Sequence, residues 1–231
     1  MKKISVLLLS LVMAVLALSA CGQDKTAQDS KTDSGSASSS EKTLTMATNA
    51  EFKPFEYLEG EKVVGADVDL AEALANELGC KLEITNIDFD AALTGAATGK
   101  YDVAIAGITA NEDRKKNMAF SDDYYKASQA IIVAEGSDIK SAKDLEGKTV
   151  SCQEGTTGEQ YLLDNEYKVQ SFKTGSEAVS ALTSGKVDAV VIDNAVATAL
   201  SAEQNGKTAV LDEAQFIKNP DSKTTAACMT S

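Results

Sequence analysis

Histidine and tryptophan are absent from the 231 residues, proline stands only at positions 54 and 220, and arginine only at 114. Histidine is the side chain that most readily serves as a general base near neutral pH. With none present, and with no Gly-x-Ser-x-Gly elbow, the usual hydrolase chemistries have no base to run on. The four cysteines, Cys21, Cys80, Cys152 and Cys228, never fall into a Cys-x-x-Cys spacing, so no zinc site is expected. Asp67-x-Asp69 continues into helical sequence without the glycine that an EF-hand turn needs, which argues against calcium. Gly95 to Lys100 is one residue short of a phosphate loop and runs into Tyr101, and Ala142 stands where the first glycine should precede Gly147-Lys148-Thr149. The sequence therefore implies no metal and no cofactor. Positive charge is scarce too: 22 basic residues against 35 acidic ones leave a net charge of −13, a surface that disfavours nucleic acid as a partner.

What the chain does have begins at its first residues. Lys2 and Lys3 precede an apolar run from Ile4 to Leu18 that ends in Ser19-Ala20-Cys21, the pattern of an export signal over residues 1–20. The run is shorter than the roughly 20 apolar residues a membrane span requires. Leu18-Ser19-Ala20-Cys21 resembles the lipobox of bacterial lipoproteins. That resemblance implies a mature chain starting at Cys21, carrying acyl chains such as palmitate and tethered to a membrane through this N-terminal lipid, since two chains anchor stably where one does not. From Gly22 to Lys42 the sequence is Ser, Asp, Lys, Thr and Gln with almost nothing apolar, so residues 21–42 read as the lipidated cysteine and a flexible tether.

The remainder alternates strand and helix patterns. Thr43 to Thr48 alternates apolar and polar residues, Pro54 interrupts an aromatic stretch, and Val68, Ala71, Leu74, Ala75 and Leu78 recur at helical spacing. Asp67 or Asp69 is placed to cap that helix, and Gly79 to end it. A strand at Lys81–Asn86, a helix at Asp90–Thr98 and a strand at Asp102–Ala106 follow. The second half repeats the order, with strands at Gln129–Ala134, Thr149–Gln153, near Val169 and at Val187–Ile192, and helices from Thr157 and Ser176. This alternation predicts an α/β fold with largely parallel sheets. One module recurs: Ala92-Leu93-Thr94 leads to Gly99-Lys100-Tyr101-Asp102, and Ala181-Leu182-Thr183 leads to Gly185-Lys186-Val187-Asp188. The repeat predicts two lobes of like architecture. Cys80 and Cys152 read as buried small hydrophobes at strand edges.

Several residues have the chemistry to grip a zwitterion. An α-carboxylate needs a planar fork of donors, and an α-ammonium a buried carboxylate. Arg114, following Ala106-Gly107-Ile108-Thr109, supplies the fork; every other cation is a lysine, which offers only a point charge. Gly155-Thr156-Thr157-Gly158 sits where a strand hands over to a helix, so it reads either as an anion-favouring helix start or as an ordinary capped turn. Asp193 ends an apolar strand, at the sheet edge where ligands of open α/β sheets bind, or else caps the helix after it. Phe52 and Phe55 read as core residues or as walls of an apolar slot.

Met46-Ala47-Thr48-Asn49, Pro54-Phe55-Glu56-Tyr57, Val64-Gly65-Ala66-Asp67-Val68-Asp69-Leu70 and Phe89-Asp90-Ala91-Ala92-Leu93 occur in an order that resembles family 3 extracellular solute-binding proteins, the polar amino-acid receptors of ABC importers. Ala106 to Arg114, Phe120-Ser121-Asp122, Gly155 to Gly158 and Val187 to Asp193 continue it, so the likeness covers about residues 43–211. The resemblance implies a type II periplasmic-binding-protein fold, two α/β lobes joined by two crossover strands with the ligand closed between them. It places lobe 1 at 43–130, lobe 2 at 131–213, and a return segment towards lobe 1 at 214–231 that is shortened or atypical. By motif matching, Arg114 clamps the α-carboxylate with Gly107, Thr109 and Thr157 as further donors, and Asp193 takes the α-ammonium. Phe52 and Phe89 flank the side chain, and Asn49 reaches its polar end. Asn49 stands where receptors for cationic amino acids often carry an acid, which favours a neutral polar ligand.

The function so implied is ligand capture by lobe closure, with no catalytic step. The expected partners are an amino acid and the permease and ATPase of an ABC transporter, for a monomer held at the outer face of a bacterial cell membrane. Two rivals share the fold: a periplasmic dehydratase-like enzyme, which wants a general acid and a second cation that are not evident here, and a ligand-sensing subunit of a signalling receptor.

Overall fold

The computed structural model describes residues 42–211 and the backbone of Cys228–Met229. The export signal, Cys21, the tether and the rest of 214–231 lie outside the described residues, as does the Cys228 side chain.

The first half runs β1 (Thr43–Thr48), β2 (Glu51–Phe52), β3 (Glu56–Glu59), β4 (Lys62–Val64), α1 (Ala66–Leu78), β5 (Lys81–Asn86), α2 (Phe89–Ala97), β6 (Val103–Ala104), the short helix α3 (Glu112–Lys115) and β7 (Ala119–Phe120). Residues 121–128 then lead to the second half: β8 (Gln129–Ala134), a 3₁₀ turn at Ala142–Leu145, β9 (Thr149–Gln153), α4 (Thr157–Asp164), β10 (Lys168–Phe172), α5 (Gly175–Thr183), β11 (Ala189–Asp193), α6 (Asn194–Ala202) and β12 (Thr208–Val210). A last strand, β13 (Cys228–Met229), returns to the first sheet. The strand orders are β5-β1-β6-β13-β7 and β10-β9-β11-β8-β12. These are the two α/β lobes of a type II periplasmic-binding-protein fold.

The sheets are more mixed than the alternation of elements predicts. β5, β1 and β6 are parallel, as are β10, β9 and β11, but β8, β12 and β13 pair antiparallel with their neighbours. The reason is connectivity: β8 enters its sheet from the crossing segment, and β13 re-enters the first sheet from the second. β8 does not arrive by way of a helix, and a helical crossover is what makes neighbouring strands parallel. β2, β3 and β4 form an antiparallel meander that the sequence reading passes over as an interrupted aromatic stretch. Its strands of two to four residues are too short to show a period.

Helices cover the central strands. In β8 and β11, Ile131, Ile132, Val190 and Val191 are fully buried, consistent with strands covered on both faces. Each such side chain contributes roughly 1.5–3 kcal/mol on burial. α1 presents Val68, Ala71 and Ala75 inward, while Leu78 at its end is exposed. Gly79 closes α1 at φ +62°, with Cys80 N–H donating to Ala75 O. Neither Asp67 nor Asp69 caps the helix start: the cap position is Gly65, and backbone carbonyls take the first amides, Pro54 O from Ala66 N–H at 3.2 Å and Phe55 O from Asp67 N–H at 2.9 Å. Gly65 is required by space, because a Cβ at its φ of +124° would lie 2.2 Å from Phe55 O. Asp67 falls inside the first turn and is fully buried.

The recurring module has the same structure twice. Gly99 and Gly185 adopt φ near +70°, and Lys100 and Lys186 each donate an N–H, 2.9 Å, to the carbonyl five residues back. Asp102 then accepts from Thr45 N–H at 2.8 Å, and Asp188 from Thr149 N–H at 2.8 Å. Each aspartate thus clasps the adjoining parallel strand of its own sheet, which fixes the register of the lobe. Cys152 is buried as expected, and burial pushes its thiol up to about 11. Cys80 is only half-buried, because it stands in the turn beyond Gly79 and not inside the sheet.

Candidate functional site

The strands of each sheet end on the same cavity. It is lined by Asn49, Phe52, Glu56, Phe89, Gly107, Thr109 and Arg114 from the first lobe and by Gln153, Thr156, Thr157 and Asp193 from the second. Asn49 follows β1, Gly107 follows β6, and Gln153 and Asp193 end β9 and β11, so the site lies beyond the carboxyl edges of both sheets. All eight residues singled out in the sequence meet here. Of the three further lining residues, Thr156 belongs to the helix-start motif of the sequence, while Glu56 and Gln153 carry no role in the sequence reading. Gln153 could have been found by the strand-end rule that located Asp193, because it closes β9 just before Gly155. Phe55 is not a wall of the cavity; it is buried against Tyr125, ring centroids 4.8 Å apart, because the meander turns it inward.

Arg114 sits in α3, which Asn111 caps by accepting the Arg114 N–H at 2.8 Å. Its guanidinium donates to Thr109 O (Nη1, 2.9 Å) and across the cleft to Gly155 O (Nη2, 2.9 Å), and it lies 5.4 Å above the Phe89 ring. The two carbonyls and the ring fix the plane of the fork. Opposite stands Asp193, buried, whose carboxyl is pushed up to about 6 chiefly by loss of water, while Gln129 and the Arg114 charge pull the other way. Gln129 is its partner across the β8–β11 ladder and also donates to Thr157 Oγ1 at 3.3 Å. Asp193 occupies the cap position of α6, but its side chain makes no capping bond, which settles the helix-cap alternative against that role.

Thr156 caps α4 by accepting the Glu159 N–H, so the first amides of α4, at Thr157, open on the cavity. Gly107 has a different part from the donor expected of it: its N–H is committed to Asp67 at 2.8 Å, and a Cβ there would lie 2.9 Å from the Phe52 ring. Asn49 donates to Ile87 O at 3.0 Å and accepts from Gln153 Nε2 at 2.9 Å across the cleft. The amide of Asn49 therefore holds Gln153 in place, leaving Gln153 Oε1 buried without a donor.

Glu56 is the buried acid of the cavity. Both its carboxylate oxygens lack a hydrogen-bond donor, and burial first, then the neighbouring Asp67, push its carboxyl well above the usual carboxylate range. Orphaned buried acceptors such as Glu56 and Gln153 Oε1 are costly in a folded protein unless a ligand supplies the missing donors. Among the described residues, no cluster of three or more His, Cys, Asp or Glu side chains is placed to hold a metal ion.

The profile of the bacterial extracellular solute-binding proteins, family 3, matches residues 44–178. The chain belongs to this family. It is 37% identical over 195 residues to the arginine-binding extracellular protein ArtP of Bacillus subtilis (strain 168), covering 83% of this chain and 73% of that protein. It is 36% identical over 165 residues to a glutamine-binding protein of Geobacillus stearothermophilus, with 69% and 62% covered. Among solved structures, an ancestral arginine-binding protein bound to arginine superposes with a TM-score of 0.75 at 41% identity, over 82% of this chain and 84% of that one. Arg114 and Asp193 stand in a cavity that also carries a second buried acid, Glu56.

Proposed function

We propose that this chain is the extracytoplasmic binding component of an amino-acid ABC importer, capturing one polar L-amino acid between its lobes without a catalytic step. The observation that carries the reading is that Arg114 of the first lobe and Asp193 of the second line one buried cavity. A planar cation fixed in position pairs a carboxylate through two bonds, and a desolvated carboxylate pairs an ammonium. The backbone of any α-amino acid matches both. Phe52 and Phe89 would flank the side chain.

The far end of the cavity selects the side chain. Glu56 and Gln153 Oε1 ask for donors, so a donor-rich cationic side chain fits better than the neutral polar one that Asn49 alone suggests. L-arginine is the first candidate, in keeping with the names of the relatives. Ligand contacts made to both lobes at once stabilise the shut form, which the permease and its ATPase would then recognise. In this reading Cys21 carries the lipid that keeps a monomeric receptor at the outer face of the membrane.

A thermal-shift screen of the purified protein against the twenty amino acids tests it. A ligand at a hundred times its Kd adds about 2.7 kcal/mol to stability. Arginine should give the largest shift; no shift with any amino acid would refute the reading.

A further inference from the structure

We propose that Glu56 is protonated before ligand enters, and that a cationic side chain arriving beside it displaces that proton, so that capture of a cationic amino acid releases up to about one proton to solvent. The inference rests on the amino-acid-binding reading and concerns the regulation of that same site.

The two carboxyls differ in their surroundings. Asp67 lies in the first turn of α1, where the helix dipole favours a negative charge. It accepts Gly107 N–H at 2.8 Å and Tyr124 Oη–H at 2.9 Å. It is a well-served anion even though it is buried. Glu56, on β3, is as deeply buried but has no donor on either oxygen. The titratable groups that bear on it are Asp67 from α1 and Asp193 from the end of β11, both acidic. The cation of the cavity, Arg114, is engaged with Thr109 O, Gly155 O and the charge of Asp193.

An ionised Glu56 would add a further negative charge to a dry site. Buried, with no hydrogen-bond partner on either oxygen and with two acidic neighbours bearing on it, Glu56 instead keeps its carboxyl neutral. The two donors on Asp67 let that neighbour carry the charge, while Glu56, with none, keeps the proton. A guanidinium or ammonium arriving at Glu56 reverses the balance. The O–H bond of Glu56 breaks, its proton leaves to solvent, and the carboxylate pairs with the incoming cation. A neutral side chain of the same shape leaves the proton where it is.

Calorimetric titration of the purified protein with L-arginine and with L-citrulline, at pH 8 in buffers of different ionisation enthalpy, reads the proton count directly. Contributions from Asp193 and from the α-ammonium are common to both ligands and cancel in the comparison. With the comparison repeated from pH 5.5 to 8, the expected result is release of more protons, up to about one, per arginine than per citrulline, and an arginine Kd that tightens relative to citrulline by up to about tenfold per pH unit over the range where the difference is seen. Glu56→Gln should abolish the difference; if that variant does not fold, the wild-type comparison decides alone. Equal proton counts for two ligands that both bind would overturn the linkage and leave amino-acid binding intact. Binding of citrulline alone would overturn the linkage and leave amino-acid binding intact; failure of both ligands to bind would overturn the linkage, and the thermal-shift screen then decides the reading beneath it.

Discussion

Arg114 of the first lobe donates to the carbonyl of Gly155 in the second, 2.9 Å across the cleft, at a point where the two lobes leave no spare room. The Asp90 carboxylate of the first lobe also lies against this glycine. A Cβ at Gly155, whose φ is +74°, would stand 1.9 Å from Asp90 Oδ1. Closure therefore depends on the absence of a side chain here.

Gly155→Ala should separate folding from closure. The left-handed backbone alone costs on the order of 1 kcal/mol of stability, but affinity should fall by more than about tenfold because the added methyl wedges the lobes apart. Removing the clashing carboxylate with Asp90→Ala in the same chain should restore part of the lost affinity. Calorimetry on the single and double variants checks this; a double variant no better than Gly155→Ala would contradict the wedge.

Arg114→Ala and Asp193→Asn should each weaken amino-acid binding by about 3 to 5 kcal/mol, the cost of stranding one partner of a buried charge pair. Equilibrium binding of the preferred amino acid gives the answer. Near-wild-type affinity in either variant would remove that residue from the site.

Much of this arrangement could be read in the sequence. Arg114 and Asp193 were legible because each is locally unusual, one as the lone arginine and the other as the acid that ends an apolar strand. The Gly-Lys-x-Asp repeat was legible because a left-handed glycine and a strand-clasping aspartate follow from local backbone chemistry. Glu56 was not. Its burial depends on a meander of very short strands, on α1 just beyond that meander, and on β11, which is distant in sequence. For the same reason Asp67 read as a helix cap. Only the tertiary fold shows that its carboxylate faces Gly107 and Tyr124 and not its own helix amides.

The buried acids give the protein an unusual pH dependence. Asp193, with its carboxyl at about 6 when folded and near 3.8 when unfolded, binds its proton more readily in the folded state. Between pH 7 and 4 the folded form therefore takes up protons that the unfolded chain does not, and acidification stabilises the protein without ligand, by on the order of 2–3 kcal/mol from this carboxyl. Glu56 and Asp67 act in the same direction. Ligand affinity should move oppositely, falling as pH drops through 6 and Asp193 loses the charge that holds an ammonium. Thermal melts and titrations over pH 4.5–7.5 test the opposed trends; parallel trends would contradict them.

Lys53 and Glu203 form a salt bridge between the lobes, 2.9 Å from the β2–β3 turn to the end of α6, and both side chains are about half exposed. Exposed pairs contribute little and are screened by salt. Lys53→Ala should raise Kd by less than about threefold, with the effect vanishing in 1 M salt. A larger, salt-independent loss would mean that this contact is part of the closing machinery.

The account stands most directly on one structure, that of the protein crystallised with L-arginine. It predicts a single molecule between closed lobes, its carboxylate held by two bonds from Arg114 at about 2.7–2.9 Å, its α-ammonium on Asp193 and its guanidinium at Glu56. A ligand seated in the opposite sense, or bound away from Arg114 and Asp193, would contradict it.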